Sequence, residues 1–280
     1  MPKTLLPLLL LPLLLACGAG EQRPAEDADV ARRIRDLVSA LTPPPPTANS
    51  AVRDDFYNRR RATMDELADA GPEIGLAALD AYAADPEALL DVRRGLLEVA
   101  AWNAPTETTP VLVELFSEYG ESLGLRTKAC ELLAVAAPAQ AIDLISTVLE
   151  DRYPGKTYPP EEAMVRAYED ACNRSGEDYV PLLSILAADL YEEQTGRLMA
   201  LRALGRAPGA RSRETLRTVL VESTGNAYLR REAAKSLRDH RAIDPETEAS
   251  FCDMLTEIMN READLNFQQF LVNMIQEHCT

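Results

Sequence analysis

The sequence predicts an all-α protein assembled from recurring helix pairs. Three observations carry this. Apolar residues make up 46% of the 280 residues but aromatics only 5%. Leu and Ala dominate that share, which favours helices packed through small and straight-chain side chains over a sandwich or barrel. Apolar residues return at helical spacing in segment after segment, with short Pro-, Gly- or Asp-containing breaks between them. And an Arg recurs at the start of every second segment, at a spacing that averages near 33 residues.

The N-terminus comes first. Residues 1–17 read MPKTLLPLLLLPLLLAC, with Lys3 followed by an apolar run from Leu5 to Leu15 that Pro7 and Pro12 interrupt. Spanning a bilayer takes about 20 apolar residues, so this run is too short to cross and has the length of a signal-peptide core. It ends in Leu14-Leu15-Ala16-Cys17-Gly18, which resembles the lipobox of bacterial lipoproteins. The resemblance implies that residues 1–16 are removed and that Cys17 carries the lipid. Losing Lys3 then leaves 28 basic against 45 acidic residues, a net charge of −17. Acyl chains would anchor the protein, and the polypeptide need not enter the bilayer. Gly18 in place of Asp implies, by that family's sorting rule, the outer membrane of a bacterial cell envelope, with the fold facing the periplasm.

After the lipidated Cys, residues 17–28 read as a flexible tether, small and polar without periodicity. Residues 29–52 follow as an N-terminal helix and a spacer. Asp29 is placed to cap a helix with Val30, Ile34, Leu37, Val38 and Leu41 on one face. Pro43–Pro46 then stops it and favours stiff polyproline II.

Residues 53–280 hold the repeats. Counting from Arg61, the steps to Arg93, Arg126, Arg166, Arg197 and Arg230 are 32, 33, 40, 31 and 33 residues. Apolar or small residues follow each Arg at three, six and seven places, as in Leu96, Val99 and Ala100, or Ala200, Ala203 and Leu204. A turn such as Gly71-Pro72, Pro208-Gly209 or Asp244-Pro245 leads to a second amphipathic helix, such as that of Ile142, Leu144, Ile145 and Val148. One pair cannot bury its stripe alone, so neighbours must share a core. This arrangement resembles HEAT repeats, in the short, lyase-type variety with an Arg and small residues in the first helix. The resemblance implies a right-handed α-solenoid of about six helix-pair repeats with a terminal capping helix. That closing helix spans 262–278, with Leu265, Phe267, Phe270, Leu271, Met274 and Ile275. In the fourth unit Glu169 departs from the pattern, which predicts a register shift there. Tetratricopeptide repeats rank second, since no regular Trp-Leu-Gly-Tyr signature is present.

Charge separates within each unit. The first helices gather Arg59–Arg61, Arg93, Arg94, Arg126, Lys128, Arg197, Arg202, Arg206, Arg230, Arg231, Lys235 and Arg238. The second helices and following turns hold acids such as Asp80, Asp85, Glu114, Asp143, Glu150 and Asp253. Second helices usually line the concave side in HEAT-like solenoids, so the resemblance implies an acidic inner surface suited to a basic partner. A net charge of −16 argues against a nucleic-acid partner. The insertion Asp151–Pro160 presents Tyr153, Lys156 and Tyr158 as candidate contact residues.

Chemistry is sparse. There is no Gly-rich phosphate loop, no GxSxG and no HExxH. No metal site and no cofactor is expected. His240, beside Asp239 and Arg241, is the one candidate base. Besides Cys17 there are Cys130, Cys172, Cys252 and Cys279, an even number in an exported chain. Stacking makes Cys130–Cys172 and Cys252–Cys279 conceivable disulfides, with small buried thiols as the alternative. The expected function is a non-catalytic, lipid-anchored envelope scaffold that binds another protein. The alternative is an accessory lyase or hydrolase using acidic residues of the concave face.

Overall fold

The computed structural model describes residues 23–118, 120–151, 158–189, 194–223 and 225–279. Among the described residues all regular structure is helical. Helix α1 (Arg23–Leu41) opens the fold, followed by α2 (Ser50–Leu67) and α3 (Pro72–Ala84). Then come α4 (Leu90–Asn103), α5 (Pro105–Ser117), α6 (Leu123–Ala136), α7 (Pro138–Asp151), α8 (Glu161–Ser175) and α9 (Val180–Ala188). The chain closes with α10 (Gln194–Leu204), α11 (Ala210–Glu222), α12 (Ala227–His240), α13 (Pro245–Arg261) and α14 (Leu265–His278).

The boundaries follow from local chemistry. Asn49, Ser122, Asn226, Asp244 and Asp264 cap α2, α6, α12, α13 and α14, each accepting from a first-turn N–H. Pro72, Pro105, Pro138 and Pro245 open α3, α5, α7 and α13, where a missing N–H costs nothing. Gly71 and Gly209, with φ of 95° and 112°, turn the chain into α3 and α11.

The odd helices α3 to α11 each pack against the helix that follows, and the even helices α4, α6, α8, α10 and α12 also pack against one another in sequence order. Among the odd helices only α9 and α11 meet as broadly. Small residues let the even helices approach: Ala100, Ala129, Ala171, Ala200 and Ala233 are fully buried along that layer. One continuous core runs from Leu37 in α1 to Met274 in α14.

The recurring Arg has a specific task. It is the fourth residue of α4, α6, α10 and α12, as Arg93, Arg126, Arg197 and Arg230. Arg126 donates to the Phe116 carbonyl at 3.2 Å, Arg197 to that of Ala187 at 3.0 Å and Arg230 to that of Leu220 at 2.8 Å. Each acceptor lies ten residues back, in the last turn of α5, α9 or α11, where carbonyls lack an intrahelical partner. The side chain that starts one pair therefore caps the helix that ends the previous one. Arg93 instead donates to the Tyr82 hydroxyl at the end of α3.

Four expectations need correction. Arg23–Ala28, expected as tether, is helical, and Leu37 and Leu41 of α1 are buried in the shared core. Helix α2 begins at Ser50, before residue 53, so its fourth residue is Arg53 and Arg61 lies in its middle. In α8 the fourth residue is Met164; Arg166 is exposed and pairs with Glu162. Measured from Arg93 through Arg126, Met164, Arg197 and Arg230, the steps become 33, 38, 33 and 33. Ala167 and Ala171 then take the buried third and seventh places after Met164, Glu169 falls outside the pattern, and Asp170, paired with Arg174, holds the sixth place. Finally, the closing helix starts at Leu265, because the Asp264 carboxylate accepts from Asn266 and Phe267 and fixes its first turn.

Candidate functional site

Charge, rather than a catalytic cluster, distinguishes the surface. On α4, α6, α8, α10 and α12 and the turns after them nearly every basic group is engaged. Arg93 grips Glu121 at 3.0 Å, Lys128 meets Glu98 at 3.1 Å and Arg202 meets Glu232 at 2.5 Å. Arg206 holds Glu169 through both carboxylate oxygens at 2.6 and 2.8 Å. At the far end Arg230 reaches Glu262 at 2.5 Å, both side chains below 10% exposure, and Arg241 reaches Glu248 at 2.6 Å. The Arg93 hydrogen bond holds the Glu121 carboxyl below its ordinary range, against the opposing effect of burial. Burial alone would raise Glu262, and the Arg230 bond with two backbone N–H donors more than reverses that.

The odd helices are the complement. Helices α3, α5, α7 and α9 contain no Lys or Arg. Asp80, Glu107, Glu114, Asp143 and Glu150 stand exposed on α3, α5 and α7 without an ion-pair partner among the described residues. Helices α3, α5 and α7 carry no base of their own to pair with them.

A groove of 660 Å³ opens between α11 and α13, with Val221, Met254 and Ile258 as its apolar wall and the Arg230–Glu262 pair at its base. It continues into a smaller hollow of 220 Å³ beside Arg213, Thr247 and Asp253. A further hollow of 380 Å³ lies between α6 and α8, lined by Ala134, Ala163, Ala167, Glu131 and Asp170.

The residues singled out from sequence are placed as follows. Tyr158 is half-buried, its ring 6.3 Å from that of Phe116, so it packs against the end of α5 instead of standing out as a contact residue. Tyr153, Lys156 and Cys17 lie outside the described residues. Cys252 and Cys279 are bonded to each other, tying α13 to the end of α14, with Cα atoms 5.7 Å apart. Cys130 and Cys172 are separate buried thiols and do not pair. Burial pushes the Cys130 thiol far up, and that of Cys172 to about 11.

His240 is fully buried at the end of α12. Its Nε2 lies 2.9 Å from the Ala207 carbonyl, so it donates there, and Nδ1 accepts from the Thr247 hydroxyl at 2.8 Å. Burial lowers its pKa, against the pull of Asp244. Asp244 in turn caps α13 and pairs with Arg213 at 2.9 Å. This is a structural latch between neighbouring pairs. Asn103, the last residue of α4 as His240 is of α12, does the same work, bonding the Leu67 carbonyl and the Gly71 N–H at 2.7 Å each. The signal was legible in the sequence only as two polar residues each ten places after a recurring Arg.

Among the described residues no group of three or more His, Cys, Asp and Glu side chains is arranged to hold a metal, and no helix is long and apolar enough to cross a membrane. No protein-family model, curated protein or solved structure matches this chain.

Proposed function

We propose that the chain is a lipid-anchored scaffold of the bacterial envelope, a HEAT-like α-solenoid that binds a basic protein partner without catalysing a reaction. The observation that carries this reading is the separation of charge between the layers: acids without counter-ions on α3, α5 and α7, and self-neutralised ion pairs on the even helices. Unpaired carboxylates on adjacent helices raise a common negative potential, which steers and selects cationic surfaces.

The solenoid part rests on the packing. Each pair meets its neighbours in chain order, and a buried Arg recurs at three of the joins. A stack whose even helices close on one another, while most odd helices stand apart, bends towards the closed layer. In this reading the even helices line the inner side and the acidic surface is convex. The sequence-derived expectation of an acidic concave face is revised accordingly. The anchor rests on the Leu5–Leu15 run and its ending in Ala16-Cys17-Gly18.

Crosslinking in the native envelope from a photoreactive residue placed beside Glu114 tests the partner. A basic envelope protein should be captured from the wild type and lost from an Asp80→Asn, Glu114→Gln, Asp143→Asn variant of unchanged circular dichroism. Capture that survives the three substitutions refutes the charge-based reading. Metabolic labelling with an alkyne palmitate should mark the wild type and leave Cys17→Ala unmarked.

A further inference from the structure

The acidic charge is not spread over the whole molecule. Residues 68–280 hold 20 basic and 36 acidic side chains, a net of −16, whereas residues 23–67 hold eight arginines against eight acids and are neutral. The neutral end is α1, α2 and their connection, and it is the end next to Cys17.

On α2 the arginines are arranged in a way seen on no other described helix. Phe56 and Leu67 face the core. Arg53, Tyr57, Arg60 and Arg61 fall at i, i+4, i+7 and i+8, along one flank of the helix. Arg53, Arg60 and Arg61 make no ion pair among the described residues, and Tyr57 is 60% exposed. Arg60 also stands at the rim of a hollow that Arg94, Lys128, Asp91 and Glu98 line. Two of the four acids of α2 are paired away from the stripe and two border it. Asp55 pairs with Arg59 and Glu66 with Arg33, while Asp54 and Asp65 border the stripe beside Arg61. In a chain whose other arginines are mostly committed to carboxylates, three free guanidiniums and an exposed tyrosine on one flank leave an anion-seeking surface.

We propose that this flank of α2 docks on anionic phospholipid headgroups of the leaflet that holds the Cys17 lipid. The inference rests on the reading of Cys17 as lipidated. Five residues separate Cys17 from Arg23, so the start of α1 lies at most about 20 Å from the anchored sulfur's backbone. Helix α1 is 19 residues, about 28 Å, long and α2 starts beyond its far end, so the stripe meets a surface whose potential decays over about 8 Å when α1 and α2 lie along it. Guanidinium forks match phosphate oxygens, and a tyrosine ring suits the headgroup level. The remaining −16 is repelled by the same surface, so docking stands the molecule on α1 and α2 with the acidic helices turned towards the periplasmic side.

The test couples the chain beginning at Cys17 through that thiol to maleimide-bearing vesicles, a reaction from which buried Cys130 and Cys172 are shielded. One vesicle set contains phosphatidylglycerol and phosphatidylethanolamine, the other phosphatidylcholine. Phenylglyoxal then modifies accessible guanidiniums, and mass spectrometry reads the rate at each. Each arginine near an anionic surface contributes about five-fold in affinity, so Arg53 and Arg61 should react about ten-fold or more slowly on the anionic vesicles. Exposed Arg211, on α11, should react equally on both. Equal rates for Arg53 and Arg61 on the two vesicle types overturn the proposal. So does equal protection in the uncoupled chain, which would assign the flank to a second copy. Because the coupling is chemical, loss of palmitate labelling in cells would refute the anchor and leave this result standing.

Discussion

Replacing Arg230 by Met separates the two tasks of the recurring arginine. Its guanidinium bonds the Leu220 carbonyl at 2.8 Å and Glu262 at 2.5 Å, and its carbon stem and head lie over the Phe267 ring, 4.0 Å from the centroid. Met retains most of the apolar contact and removes both polar ones. Glu262 is only 9% exposed, so the substitution leaves a buried carboxylate without its counter-ion, which costs about 3–5 kcal/mol. The uncapped carbonyl adds roughly 1 kcal/mol. In a chain of this size about 4 kcal/mol corresponds to a drop of about 8–15 °C in Tm. Amide exchange in α11 to α14 should accelerate first. The double variant Arg230→Met, Glu262→Leu removes the stranded charge and should recover all but about 1–2 kcal/mol. The pH dependence has a definite sign. Glu262 lies below its ordinary value of 4.5 when folded, so its contribution is complete above that pH and fades as pH falls through the lower folded value. Without Arg230, burial dominates and raises the same group, so the penalty of the single variant should shrink in acid. A single variant within about 1 kcal/mol of wild type, or a double variant no better than the single, refutes the reasoning.

Reducing Cys252–Cys279, which closes a loop of 27 residues in sequence separation, should destabilise the C-terminal pair by about 3–4 kcal/mol; thermal melts with and without reductant measure it, and unchanged melts would contradict it. Gly75→Ala would bring a Cβ to 2.7 Å from the Ala104 backbone nitrogen and should cost about 1–3 kcal/mol, whereas Gly225→Ala, which meets nothing within 4 Å, should be near neutral. His240 is held neutral by burial, below its ordinary 6.5, so the folded state loses stability as pH falls through that value because only the unfolded chain gains the proton readily. His240→Asn, with the side chain that α4 uses at the same place, should flatten denaturation midpoints between pH 7 and about 5; an unchanged slope would show that His240 is not its source.

The order and pairing of the helices were legible because each carries its own apolar stripe and its own breaker. Arg93, Arg126, Arg197 and Arg230 could be found by spacing alone, since all sit at the fourth place of a helix. Met164 could not, because the same place is filled by an apolar side chain and the nearby Arg166 offers a decoy. Stacking of successive first helices made Cys130 and Cys172 conceivable partners, but their places along those helices differ. Cys130 is the eighth residue of α6 and Cys172 the twelfth of α8, which sets them about 6 Å apart along the helix direction. The acidic surface was half legible. Which helices hold acids is written in the sequence, but which acids remain unpaired depends on contacts such as Arg206 with Glu169, 37 residues apart. The free stripe on α2 was hidden for a related reason: its triplet of arginines looked like the repeat marker of other first helices, and only the actual start of α2 at Ser50 shows that it is not.

A row of helix pairs held only by neighbours can come apart from either extremity, because the outermost pair has support on one side alone. The bond between Cys252 and Cys279 stitches shut the last hairpin and closes one of those two exits. The other, at α1 and α2, has no such stitch. Pulled or nicked, this molecule should unravel in one direction only, from its N-terminal pair towards its sewn one.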